Sequence, residues 1–242
     1  MSVEFTQALV QWYNLGAAFT ALQNVPGATL MCWSTFAGSS VNVEDRAMHV
    51  SSGTATGAAR LQLAQRQDVV RWRTSGRRLD ADVVSSLDSV TPRGTTKVHL
   101  ATVARFTTQQ FQLYVNGQLE TTGAEPTWLG NSSNTASLGA ALGASSDGTG
   151  TLNGRLEGCR IYQRALSSAE IENIFNARGR DGNVFGMIHR WQLTNGAPGS
   201  NVDTATAVDS GQGARNGTAT GTPFITFQDW LQSGNRRRRR RR

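Results

Sequence analysis

Hydrolysis of a glycosidic bond needs two carboxyl groups at roughly 5–9 Å, one to supply a proton and one to attack or to activate water. The acids closest to that pattern are Glu44-Asp45 and Asp80-Ala-Asp82. Neighbours along a strand point to opposite faces, so Glu44 and Asp45 diverge, while Asp80 and Asp82 share a face but have no glutamate partner. The three histidines, His49, His99 and His189, show no metal-ligand or H-E-x-x-H spacing, and no G-x-S-x-G nucleophile turn occurs. His99 lies in an alternating apolar stretch, the setting of a core or edge histidine more than of a general base. The 26 glycines form no phosphate loop or dinucleotide fingerprint and read as turn positions. This sequence implies a protein that is not an enzyme.

Residues suited to binding are more evident. Arg236, Arg237, Arg238, Arg239, Arg240, Arg241 and Arg242 form an unbroken run. Arginines make bidentate bonds to carboxylates and phosphates, so the run is read as an anchor to an anionic partner. The other reading is an engineered tag or an extended solubilising tail, because blocks of like charge repel. Six tryptophans, Trp12, Trp33, Trp72, Trp128, Trp191 and Trp230, could include a platform on which a sugar ring stacks. Trp128, in the loop Pro126-Thr-Trp-Leu-Gly130, is the one expected to expose its ring and touch carbohydrate. Cys32 and Cys159 lie in apolar runs and are either buried thiols or a single bridge; two cysteines are too few for a disulfide framework.

The elements that must position these residues are strands. Period-two alternation recurs in 28–36, 59–65, 69–73, 97–106 and 111–115, separated by clusters of Gly, Ser, Thr and Asn. Asn116-Gly117 between 111–115 and 118–122 predicts a two-residue type I′ hairpin, since both central positions need positive φ. One helix is expected near 168–178: Ser167-Ser-Ala-Glu170 fits a capping box, Ile171, Ile174 and Phe175 recur at helical spacing, and Gly179 is placed to end it. Beyond about 180 the texture loosens around two further strand segments, 189–193 and 222–227. Many short strands and one helix predict an all-β, two-sheet antiparallel sandwich.

Lys97-Val-His-Leu-Ala-Thr-Val-Ala-Arg-Phe106, Phe111-Gln-Leu-Tyr-Val-Asn-Gly117 and Leu152-Asn-Gly-Arg-Leu-Glu-Gly-Cys-Arg-Ile-Tyr-Gln-Arg-Ala-Leu-Ser167 with Ala169-Glu-Ile-Glu172 together resemble the laminin-G-like, concanavalin A-like lectin jelly roll. Trp12-Tyr-Asn-Leu-Gly16 and Leu30-Met-Cys-Trp33 resemble its early strands, so the resemblance covers about 3–180. It implies a jelly roll over 1–180, with Trp33 and Trp191 in the core. It also raises calcium, which such folds often carry in a loop. No Asp-x-Asp-x-Asp-Gly loop exists, and Asp147 and Asp209 are the loop acids to inspect, with an Asx-turn as the plain alternative for each. The E-x-D-x-x-E strand of the hydrolases on this fold is absent. The segments 190–193, 207–211 and 216–223 resemble the opening of such domains yet come late, as in similar proteins of tailed bacteriophages. This order implies either a permuted domain or an arm over 181–235 that completes a sheet or contacts a neighbour, followed by the arginine tail 236–242.

Charge separates the function classes. The chain of 242 residues has 24 Lys+Arg against 17 Asp+Glu, and the run 236–242 accounts for the whole excess of +7. The rest is neutral, unlike a nucleic-acid-binding domain with a basic docking face. No basic-then-apolar leader and no span of ~18 apolar residues is present, so no membrane partner is expected and synthesis is read as cytoplasmic. These features together predict a non-enzymatic virion protein, of the capsid-decoration or head-fibre kind. Its partner would be a capsid or other virion protein, with self-association and a host glycan as further partners. The alternative is a carbohydrate-binding module, and last a glycoside hydrolase.

Overall fold

The longest strand, Gly27–Phe36, is buried at nearly every position, which is what a central strand covered on both faces requires. It is β3 in chain order and it organises the first of two sheets. The computed structural model describes residues 2–6, 11–16, 20–36, 43–52, 58–133, 139–193, 207–214, 216–221 and 224–226. All strand pairs among them are antiparallel.

The first sheet runs β10 (Gln118–Ala124), β9 (Gln110–Val115), β8 (Val98–Arg105), β3, β12 (Gly154–Tyr162), β1 (Ser2–Phe5) and β15 (Phe224–Thr226). β13 (Met187–Trp191) also pairs with β12, along residues 159–162, while β1 takes residues 154–156. The second sheet runs β14 (Thr218–Thr220), β2 (Trp12–Asn14), β11 (Gly139–Leu142), β4 (Glu44–Ser51), β5 (Arg60–Arg66), β6 (Arg71–Arg77) and β7 (Ser85–Pro92). Phe5, Phe36, Leu61, Leu63, Trp72, Leu100, Phe111, Leu113, Leu142, Leu156, Ile161 and Trp191 fill the space between the sheets. The all-β, two-sheet antiparallel sandwich expected from the alternation is what forms. β13, β14 and β15 show that the late segments pair within the chain, adding to both sheets.

Local signals act where the sequence places them. Asn116 and Gly117 adopt φ of 51° and 81°, and Val115 pairs with Gln118, giving the two-residue hairpin. Helix α1 (Ser168–Asn176) starts with the complete capping box of Ser167 and Glu170. It lays Ile171 and Ile174 on the outer face of the first sheet beside Trp33, Tyr114 and Tyr162. Gly179, with φ of 72°, follows its end. One expectation shifts: Val69 and Val70 belong to the turn 67–70 and not to a strand, because the chain reverses between Arg66 and Arg71, which pair. Cys32 and Cys159 are buried free thiols. Burial pushes the Cys159 thiol up, and its contact with Cys32 adds to the rise. Among the described residues no helix is long and apolar enough to cross a membrane.

Candidate functional site

At one end of the sandwich the strand ends of the second sheet meet two segments of the chain that carry no regular structure. Ser52 follows β4, Ala59 precedes β5 and Arg60 begins it, Arg77 closes β6, and Arg78 follows it. With Leu22, Phe106, Ser132 and Ser133 they line a narrow recess.

Its walls are held by the backbone. Ser132 Oγ accepts from Val25 N at 2.9 Å and donates to Leu22 O at 2.5 Å, while Asn24 N donates to Ser133 O at 2.9 Å. Ser133 N and Arg78 O close the gap between this segment and β6 at 3.2 Å, and Arg78 Nη1 donates to Asn131 O at 3.0 Å. Ser52 Oγ donates to Asp80 Oδ1 at 2.5 Å, and Ala59 N donates to the same oxygen at 2.8 Å. The serine hydroxyls shape the recess, and the arginines bring its chemistry.

Charge in the recess is one-sided. Among the described residues three guanidinium groups line it and no carboxylate does. Arg78 has Asp82 at 3.5 Å, and Arg77 Nη1 donates to Ala58 O at 3.4 Å. Arg60 and Arg77 stand directly opposite each other across the β5–β6 pair. Burial lowers the Arg60 pKa, and Arg77 and Arg46 lower it further against an opposing pull from Glu44.

Trp128 corrects the sequence reading. Its side chain is fully buried, so no sugar can stack on it. Trp128 N donates to Glu125 O at 2.8 Å in a tight turn that folds the ring inward. There it packs between Phe106 and Phe111, with ring centroids at 5.2 Å and 5.3 Å. Gly76 makes the room: a Cβ at that position would stand 3.1 Å from the indole. Trp12, Trp33, Trp72 and Trp191 are also buried, and Trp230 lies outside the described residues.

Asp147 and Asp209, the acids singled out for calcium, are both engaged nearby. Asp147 accepts from Ser145 Oγ, from Thr149 N at 3.0 Å and from Thr149 Oγ1 at 2.8 Å. Burial would raise its pKa, but these bonds and Arg46 hold it at about 2. Asp209 Oδ2 lies 2.5 Å from His189 Nδ1, and Asp209 Oδ1 accepts from Arg190 N and Gly211 N, both at 2.8 Å. Among the described residues no three His, Cys, Asp or Glu side chains gather as a metal site.

Asp80 and Asp82 sit in the connection after β6, where strand alternation does not apply. Asp45 accepts from Gln65 Nε2 at 2.6 Å in the interior, and Glu44 accepts from Gln62 Nε2 at 2.5 Å. His99 is fully buried against Trp33, with centroids 4.4 Å apart, and burial lowers its pKa to about 3. Arg236 to Arg242 lie outside the described residues.

Sequence reasoning missed Arg60, Arg77 and Arg78. The signal was present in the hairpin about 67–70, whose register sets Arg60 opposite Arg77.

Comparison with known proteins places this geometry. Residues 14–172 match the family model described as the concanavalin A-like lectin/glucanases superfamily. Among curated proteins, none matches the chain in sequence. Among solved structures, CBM40 of the Ruminococcus gnavus IT-sialidase is similar over 72% of this chain and 96% of its own, at 18% identity and a TM-score of 0.56. The same module has been solved bound to α2,3-sialyllactose. A proposed carbohydrate-binding protein from Bacteroides ovatus matches 94% of this chain and 60% of its own, at 13% identity and a TM-score of 0.64. A SAP-like pentraxin of Limulus polyphemus is similar over 70% of this chain and 76% of its own, at 12% identity and a TM-score of 0.51.

Proposed function

The chain belongs to the concanavalin A-like lectin/glucanases superfamily, and on that premise we propose that it is a non-catalytic glycan-binding module whose site is the arginine-lined recess. The observation that carries the proposal is a concave, donor-rich recess built at the strand ends of a lectin-type sandwich. Most ligand sites are concave with a few convergent polar groups. The sugar-bound CBM40 of similar fold supports the reading by analogy of fold. The acids that could have formed a hydrolytic pair are instead hydrogen-bonded to glutamines, backbone or neighbouring arginines.

The test is calorimetric titration with a panel of acidic and neutral oligosaccharides, each also assayed for release of reducing ends. Saturable binding without turnover is expected. Turnover would make the protein a hydrolase, and absence of binding across the panel would reject the glycan reading.

A second reading rests on the arginine run. On this reading the sandwich, with the late strands β13, β14 and β15 in its sheets, is displayed on a virion, made in a host cytoplasm, and the tail 236–242 anchors it to a capsid protein. Glycan binding and virion display are compatible, since an outward-facing lectin could engage a host surface. Deleting 236–242 should leave the melting temperature unchanged and weaken attachment to particles. Equal loading of full-length and truncated protein across a salt series would reject the anchor.

A further inference from the structure

We infer that the recess is a subsite for the carboxylate of an acidic sugar, a sialic or uronic acid, gripped by the guanidinium groups of Arg60 and Arg77. The inference rests on the glycan-binding reading and narrows its ligand class.

Four observations converge. First, like charges directly opposite on paired strands destabilise a sheet, yet Arg60 faces Arg77. Second, the opposite end of the same hairpin shows how this chain neutralises an arginine it uses for structure. There Arg66 is paired with Asp68, and Arg73 holds Asp88 through Nε and Nη2, both at 2.7 Å. Among the described residues no carboxylate lies within ion-pair distance of Arg60.

Third, the Nε atoms of Arg60 and Arg78 are buried without a hydrogen-bond acceptor. A buried donor left unmet is costly, and an oxyanion entering the recess would supply acceptors. Fourth, the recess is narrow and open to solvent, so what enters it is a carboxylate group and not a whole sugar ring. The five described tryptophans are buried, so recognition there depends on charge and not on ring stacking.

A carboxylate fits this arrangement because the planar guanidinium fork meets its two oxygens in parallel, with specificity as well as energy. Arg78, tied to Asn131 and Asp82, serves as wall. Asp80, engaged by Ser52 and Ala59, fixes the rim on the side of β4.

The experiment compares, by calorimetry on the full chain at constant ionic strength, 3′-sialyllactose, an oligogalacturonate, their methyl esters, neutral lactose and inorganic sulfate. Arg60→Met and Ser133→Asp are measured beside the natural sequence, with melting temperatures as the folding control. The expected result is binding of at least one carboxylated sugar, with affinity lost tenfold or more on esterification and on Arg60→Met. Ser133→Asp, which supplies an internal acceptor, should weaken binding without lowering the melting temperature. Which of the two acids binds identifies the sugar.

If lactose or the esters bind as well as the acids, or if Arg60→Met leaves affinity intact, the carboxylate subsite is overturned while glycan binding stands. If sulfate binds and no sugar does, the subsite for a sugar acid is overturned together with the glycan reading. The ester comparison needs no variant, so the inference stays testable even if Arg60→Met fails to fold.

Discussion

Two arginine clusters in this protein have opposite finishes. On the first sheet, Arg160 is buried to 1% exposure and surrounded by acceptors: Asp181 Oδ1 at 3.0 Å, Gly179 O at 2.6 Å and Tyr162 Oη at 3.2 Å. Arg190 donates to the same Gly179 carbonyl at 3.0 Å, and Arg164 grips Glu170 with two bonds. On the second sheet, Arg60 and Arg77 meet at a recess whose lining, among the described residues, offers no carboxylate. The first cluster closes on itself and fastens the segment after α1 to β12. The second contains, in Arg60, a guanidinium that has no carboxylate within ion-pair distance among the described residues. A charge that the fold completes is structural, and a charge that the fold leaves open is a place for something else.

The largest expected effect breaks the closed cluster. Asp181→Ala leaves the Arg160 guanidinium buried without its counter-charge, which costs about 3–5 kcal/mol. For a domain of this size the melting temperature should fall by roughly 10 °C. A fall no larger than that of a surface substitution would place Arg160 among the dispensable arginines and erase the contrast.

Trp128→Ala tests whether the layer beneath the recess is core or site. As core, it should cost about 3–5 kcal/mol through the cavity left between Phe106 and Phe111. Loss of glycan affinity with unchanged stability would instead return Trp128 to a role in sugar contact.

Acid titration sharpens the comparison on the side of the closed cluster, where Arg160 and Asp181 both act on His99. The pKa of His99 lies at about 3, below its ordinary 6.5, chiefly through burial, so the folded protein refuses a proton that the unfolded chain accepts. Its contribution is therefore complete above pH 6.5 and is lost as pH falls from there toward 3. Both ring nitrogens of His99 are without hydrogen bonds. His99→Phe should thus keep or raise stability at pH 7 and reduce the slope of unfolding free energy by about 1.4 kcal/mol per pH unit within that window. An unchanged slope in denaturant titrations at pH 4, 5 and 6 would exclude His99 as its source.

The smallest effect concerns the open cluster. Arg60→Met relieves the opposition to Arg77 and removes no internal ion pair, so stability should stay within about 0.5 kcal/mol of the natural chain or exceed it. A loss of several kcal/mol would mean that Arg60 is as structural as Arg160.

The strands, the hairpin and the helix were legible in the sequence because their causes are local. Asn116-Gly117 supplies two positive φ values within one turn, and Ser167 and Glu170 cap a helix across three residues. Alternation such as Leu61, Leu63 between Arg60 and Gln62 marks a strand wherever it later pairs. The late strands were legible as strands, but not their partners: β14 adds to β2 and β15 to β1, more than 200 residues apart in sequence.

The amino-acid sequence by itself determined the sandwich class, the turn, the cap and the confinement of excess charge to 236–242, since each depends on residues near one another in the chain or on composition alone. Tertiary structure alone decided what is exposed. Trp128 is core because Gly76, 52 positions earlier, has no side chain to fill the space its ring takes. Strand register sets Arg60 against Arg77, and among the described residues the folded chain brings carboxylates to Arg66, Arg73 and Arg160 and none to Arg60. Burial and charge compensation are sums over neighbours in space, and the chain acquires those neighbours only when its two sheets close on each other.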